Sequence, residues 1–221
     1  MSEKIIVELN NIFKQSDRGI QLFKDLNFSL KAGETAVIVG GAGSGKSSLI
    51  ELIIGEKFTD EGSIEVFGLQ VKKNRKGRLK KIRRKIGGVG GLFSLIPSFT
   101  VSENITFPLV LNAEKKAIKK ERLFKMLTEF SLLKQAKEYP RKLTRVESSL
   151  VQYARASIAN QPLLIIDEPL AGLDKYTYKR IFDYLVKVSL SGRSMIVLCS
   201  EMPEETIPNT KFYRLENGTL V

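Results

Sequence analysis

Residues 40–47 read Gly40-Gly41-Ala42-Gly43-Ser44-Gly45-Lys46-Ser47, which satisfies G-x-x-x-x-G-K-[ST] at every fixed position. The apolar run Thr35-Ala36-Val37-Ile38-Val39 precedes it. The helix-like stretch Ser48-Leu49-Ile50-Glu51-Leu52-Ile53-Ile54 follows. A strand, a glycine-rich loop and a helix in that order make a phosphate cradle. Gly40 and Gly45 permit backbone dihedrals that a Cβ forbids, so successive N–H groups can converge on one concavity. The helix start adds unsatisfied N–H groups and its positive dipole end. Lys46 brings a mobile cation for the outer phosphates, and the Ser47 hydroxyl suits Mg²⁺. The expected nucleotide-binding set is Gly40, Gly41, Ala42, Gly43, Ser44, Gly45, Lys46, Ser47 and Ser48. The pattern calls for a nucleoside triphosphate. It names neither the base nor hydrolysis.

Around this loop, strands and helices alternate. Residues 5–9 and 20–30 read as short, partly alternating strands, and Lys31 to Glu34 as a turn before the strand at 35–39. Asp60-Glu61-Gly62-Ser63 reads as a turn before a strand at 64–67. Residues 114–133 carry helical periodicity, with Ile118, Leu123, Met126, Leu127 and Phe130 on one face. Residues 145–159 and 176–190 read as further helices. The wholly apolar runs Leu163-Leu164-Ile165-Ile166 and Met195-Ile196-Val197-Leu198-Cys199 suit strands buried on both faces of a parallel sheet. Residues 213–221 read as a terminal hairpin around Asn217-Gly218. The expected class is α/β.

Directly after the first of those runs stand Asp167, Glu168 and Pro169. Open α/β sheets bind ligands at the carboxyl ends of their strands. Asp167 is the expected partner of Ser47 in holding Mg²⁺. Glu168 is the expected catalytic residue, orienting or deprotonating a water.

Composition narrows the setting. The chain has 221 residues, 43% of them hydrophobic, enough for one domain with a real core. No run approaches the ~18 consecutive apolar residues of a membrane span. The first residues lack the charged and apolar regions of a secretory signal, so a cytoplasmic chain is expected. The one cysteine, Cys199, lies in an apolar run and reads as a buried thiol. Net charge is +12, and it is concentrated. Lys72 to Lys85 holds ten basic residues and no acidic one, and a second cluster spans Lys115 to Lys125. The run reads first as a solvated surface segment. Contact with an anionic membrane surface comes next. Nucleic acid is disfavoured, because no aromatics interleave with the charges.

With these residues in hand, the chain resembles the ATP-binding subunits of ABC transporters along essentially its whole length. Phe28-Ser29-Leu30-Lys31-Ala32-Gly33-Glu34, Gly62-Ser63-Ile64, Pro97 to Ile105, Leu163 to Pro169 and Leu173-Asp174 match family landmarks. Arg83-Arg84-Lys85-Ile86-Gly87 followed by Leu95-Ile96-Pro97 is most similar to the bacterial lipoprotein-release, macrolide-export and cell-division subfamily. The resemblance implies a P-loop NTPase fold of the ABC ATPase type, with an N-terminal antiparallel β part. It implies one ATP-binding domain over 1–221, with a helical subdomain at about 92–155. It also implies ATP and Mg²⁺ as cofactors, an integral membrane permease as partner, a homodimer or heterodimer of ATP-binding subunits, and a peripheral place on the inner face of the cell membrane.

The chain departs from the family at four places. The glutamine of the family's glutamine loop falls on Gly91. The Leu-Ser-Gly-Gly-Gln signature, which in the family binds the γ-phosphate on the facing subunit, falls on Leu143-Thr144-Arg145-Val146-Glu147. The switch histidine falls on Ser200, and the chain has no histidine at all. The aromatic that stacks on adenine falls on Ser16, with Phe13 the nearest alternative. Groups that hold phosphate survive, and groups that sense the γ-phosphate and close a dimer are altered. Removing one transition-state donor costs ~10²–10³ in rate. The expected function is therefore ATP binding with weak hydrolysis, coupled to a membrane transporter or envelope complex. The alternative is a near-inactive regulatory or structural subunit.

Overall fold

The computed structural model describes residues 4–16, 18–168 and 173–221. At its centre lies β3 (Thr35–Val39), five residues all buried. It runs parallel to β8 (Ser194–Cys199) on one side and β9 (Thr210–Glu216) on the other. Beyond β8 come β7 (Leu163–Asp167) and β6 (Ile86–Val89), both parallel. β10 (Thr219–Leu220) folds back on β9 through Asn217-Gly218, both with positive φ. The order is β10-β9-β3-β8-β7-β6.

Successive side chains of a strand point to opposite faces, and here both faces are covered. Val37, Leu164, Ile166, Met195 and Val197 enter one core. There they meet α3 (Val101–Leu111), α4 (Lys116–Glu129), α5 (Arg145–Ser157) and α6 (Lys175–Leu190). Ala36, Ile38, Leu163, Ile165 and Ile196 enter the other. That core holds α1 (Lys46–Ile53) and an antiparallel sheet of order β2-β1-β4-β5. Its strands are β1 (Ile5–Gln15), β2 (Gln21–Lys31), β4 (Glu61–Val66) and β5 (Leu69–Gln70).

Two expectations need correction. The turn read at Asp60–Ser63 is the start of β4: Ser63 pairs with Asn10 and Glu61 with Phe13, across a register shift. Gly62 makes that possible with φ +85°, where a Cβ would stand 2.2 Å from the Asn11 carbonyl oxygen. The glycine read as a turn marker is a bulge in a strand. The other end differs too. β4 stops at Val66, and Phe67 (φ +54°) begins the turn to β5.

The basic run lies on the surface, as expected, and part of it is helical. It contains α2 (Lys76–Arg84), seated by Leu79 and Ile82 at helical spacing, and all ten of its basic residues are exposed. α3 begins with a reciprocal capping box: Thr100 Oγ1 accepts from Glu103 N, and Glu103 Oε2 accepts from Thr100 N at 2.7 Å.

Asn104 fastens the segment before α3. It is fully buried; its Nδ2 donates to the carbonyls of Ile96, Phe99 and Thr100, each at 3.1 Å, and its Oδ1 accepts from Ile96 N at 2.8 Å. Asn104→Ala strands these groups, so a loss of about 3 kcal/mol in unfolding free energy is expected. Urea denaturation of the two proteins checks this, with an unchanged slope and a lower midpoint.

Candidate functional site

The loop after β3 is shaped by its neighbours. Gly40 N donates to Cys199 O at 3.0 Å, carrying the β3–β8 ladder one step past the strand. Ser44 N then donates to Gly41 O at 3.2 Å and closes the loop. Gly40 does not take the left-handed backbone expected of it, which falls on Gly43 and Gly45; a Cβ on Gly40 would stand 2.5 Å from Ser44 Oγ and 3.1 Å from the Leu215 carbonyl oxygen, so close packing favours glycine there. Gly45 takes φ +105° at the N-cap of α1 and turns the chain into the helix.

Three observations fit this loop to a polyphosphate. No side chain caps the start of α1, and its first turn holds no acidic residue. The first helical N–H groups are thereby left for a ligand. Ser44 Oγ is buried and bonds to no group among the described residues. Lys46 is 9% exposed, with its Nζ on the Gly40 carbonyl and 3.3 Å from the Gly41 carbonyl. Gly41, Ala42 and Gly43 form the exposed rim, Ser47 is exposed and Ser48 half-buried beside it.

Two other strand ends face the loop. Lys46 Nζ lies 3.6 Å from Glu168 Oε1 and donates to Ser200 Oγ at 3.5 Å. Ser200 Oγ in turn donates to Glu168 Oε1. The three side chains come from α1, from just past β7 and from just past β8. Their meeting follows from the strand order β3-β8-β7. Glu168 holds φ +54°, and its N–H donates to Leu198 O at 2.9 Å. Burial raises the Asp167 carboxyl above the usual range; the charge of Glu168 adds to this, and Lys46 opposes it. A nearby cation would restore its ionised form.

For Mg²⁺ the chain offers two oxygen donors, the Ser47 hydroxyl and the Asp167 carboxylate. Among the described residues no group of three acidic, histidine or cysteine side chains could cage a metal. One hydroxyl and one carboxylate suit an ion that keeps waters and takes its other oxygens from phosphate. Pro169 lies outside the described residues.

The altered positions are also placed. Gly91 opens a single 3₁₀ turn, Gly91–Phe93, and a Cβ there would meet nothing within 4 Å. Its neighbour Gly90 is pressed on Asp167, where a Cβ would lie 2.6 Å from the Asp167 Cβ. Two side chains of α5 that the sequence reading passed over hold this loop. Gln152 Oε1 accepts from Gly90 N at 2.7 Å, and Arg155 donates to the carbonyls of Phe93 and Ser94. Burial pulls the Arg155 guanidinium down to about 10. No local signal marks Gln152, because its partner lies 62 residues away.

In the signature segment, Thr144 caps α5 and Glu147 completes a second capping box. That pattern, Thr-x-x-Glu, was legible in the sequence. Arg145 is exposed, and Val146 packs against the core. Arg145, Glu168, Tyr178, Ser200 and Glu201 line one cleft of about 1010 Å³. Ser16 closes the β1–β2 turn, where its hydroxyl accepts from Ile20 N at 3.0 Å, and Phe13 is half-buried in β1.

Comparison with known proteins agrees with this geometry. The family profile described as ABC transporter matches residues 23–171. The cell division ATP-binding protein FtsE of Streptococcus pneumoniae is 31% identical over 219 residues, covering 98% of this chain and 94% of that protein. The glutamate transport ATP-binding protein GluA of Corynebacterium efficiens is 32% identical over 183 residues, 82% of this chain and 75% of that protein. Among solved structures, a dimeric ATP-binding cassette in a post-hydrolysis state, bound to ADP and Pi, superposes with a TM-score of 0.86. It is 28% identical, with 97% of this chain and 96% of that one covered. The fold is thus that of an ABC ATPase cassette, and the chain belongs to the ABC transporter family.

Proposed function

We propose that this chain is an ATP-binding subunit that hydrolyses ATP weakly and couples nucleotide binding to a membrane transporter or envelope complex. The observation that carries the reading is the uncapped glycine loop with Lys46 and Glu168 3.6 Å apart at its mouth. In this reading Gly40 to Ser48 wrap the phosphates, and Lys46 turns from the Gly40 and Gly41 carbonyls to the outer ones. Ser47 and Asp167 hold Mg²⁺, which when bound neutralises charge on the terminal phosphates. Glu168 orients a water and takes its proton. Residues 92–155 serve as the helical subdomain, whose start after Leu92 faces an integral membrane permease. A second ATP-binding subunit, identical or not, supplies the facing half of each site.

The altered positions favour a second reading, a nucleotide-binding subunit with almost no turnover. Steady-state ATP hydrolysis, alone and with the membrane partner, separates the two. The first requires phosphate release above that of Glu168→Gln. The second requires equality of the two, with Gly91→Gln raising the rate; a Cβ at Gly91 would meet nothing within 4 Å.

The charge of α2 supports a direct contact with anionic lipid. Its run holds ten exposed basic residues, of which Arg83 pairs with Glu56 at 3.1 Å. Each basic residue near such a surface contributes ~1 kcal/mol. Lys80→Glu with Lys81→Glu is expected to weaken binding to phosphatidylserine vesicles by about thirtyfold or more, with neutral vesicles unaffected. Equal retention of both proteins, or capture by duplex DNA in place of vesicles, would contradict the lipid contact.

A further inference from the structure

Glu168 is a residue that needs holding. Its backbone sits at φ +54°, a sparsely populated region for a residue with a Cβ, and is pinned to β8 through Leu198 O. Among the described residues its carboxylate has two polar partners. Lys46 lies on one side, and in the proposed reading a bound polyphosphate draws that ammonium away. The Ser200 hydroxyl lies on the other, on the residue that follows β8, and it donates to Oε1. Among the described residues Oε2 accepts no hydrogen bond, so Oε2 is the oxygen open to a water. We propose that Ser200 is the positioning residue of Glu168. It fixes Oε1 by its single proton and leaves Oε2 to act.

The chemistry of a hydroxyl suits this task. It has one proton to give, and a hydrogen bond to a charged acceptor contributes more than one between neutral groups. It carries no charge to compete with Lys46 for the carboxylate. Serine also differs from the histidine of the resemblance in being unable to gain a proton in the neutral range. Ser200 thus holds Glu168 by a neutral donor, beside the ion pair with Lys46.

The inference rests on the hydrolytic reading, and its test separates the two. Ser200→Ala is expected to lower kcat about tenfold. Affinities for ATP·Mg²⁺ and ADP, read by fluorescent-nucleotide titration, and KM should stay within about twofold. Ser200→Thr, which keeps the hydroxyl, restores the rate. In the Glu168→Gln background, Ser200→Ala costs nothing further, because a residue that acts through Glu168 is silent once that base is gone. A joint loss of ATP and ADP affinity, or full additivity with Glu168→Gln, overturns the proposal. If wild-type turnover equals that of Glu168→Gln, the hydrolytic reading fails. The pair is then judged in nucleotide-free protein by thermal unfolding of Ser200→Ala, Glu168→Ala and the double variant. A double-variant midpoint no lower than the lower single keeps the contact; additive lowering removes it.

Discussion

Lys46→Ala is expected to cost this protein its nucleotide, lowering affinity for ATP·Mg²⁺ by about 100-fold or more. Lys46 is the one basic side chain buried among the described residues, and its Nζ already lies on the carbonyls of the loop that would wrap the phosphates. Each hydrogen bond from an ammonium to a charged oxygen contributes ~1.5–3 kcal/mol, and each 1.4 kcal/mol is tenfold in affinity. Two such bonds lost give the expected effect. The fold itself should tolerate the change, because in the free protein Lys46 bonds to loop carbonyls, to Ser200 and to Glu168, not to the core. Isothermal titration beside a thermal melt checks both halves. Lys46→Arg is not expected to rescue, because a planar, forked guanidinium cannot reproduce the contacts of a compact ammonium point charge.

Glu168→Gln is expected to separate holding from turnover. The amide keeps the size of the carboxyl and still accepts from Ser200, but it cannot take a proton. A positioned general base contributes ~10²–10⁴ in rate, so phosphate release should fall by about that factor. Binding of ATP·Mg²⁺ should hold or tighten, because the change removes a negative charge 3.6 Å from Lys46 that competes with phosphate. Single-turnover rates and equilibrium titrations on the same preparation measure the two effects.

Much of this site was legible in the sequence, for a physical reason. β3, β7 and β8 are buried on both faces, so they read as unbroken apolar runs. The loop and Asp167-Glu168 lie at the ends of those runs. What the sequence could not give is their adjacency. Lys46, Glu168 and Ser200 meet because the sheet places β8 between β3 and β7, and strand order is not a local property.

Other features were masked by a stronger signal. In the run Lys72–Lys85, ten basic residues hide two apolar ones, and Leu79 and Ile82 seat α2 within it. In β4, Gly62 imitates a turn while its backbone serves a bulge. The capping boxes at Thr100 and Thr144 stood in the sequence as Thr-x-x-Glu and would have marked the starts of α3 and α5. The grip of Gln152 on Gly90 had no local trace, although it fixes the loop that presses on Asp167.

In the proposed function this chain holds ATP on the Gly40–Ser48 loop and converts it slowly through Glu168. The most direct test is a single-turnover experiment. Protein in excess over radiolabelled ATP·Mg²⁺ is quenched at intervals, and the bound nucleotide is identified. The predicted result is ATP retained by the wild-type protein and turned into ADP slowly, retained but unconverted by Glu168→Gln, and not retained by Lys46→Ala. Wild-type protein that retains no more ATP than Lys46→Ala would contradict the account.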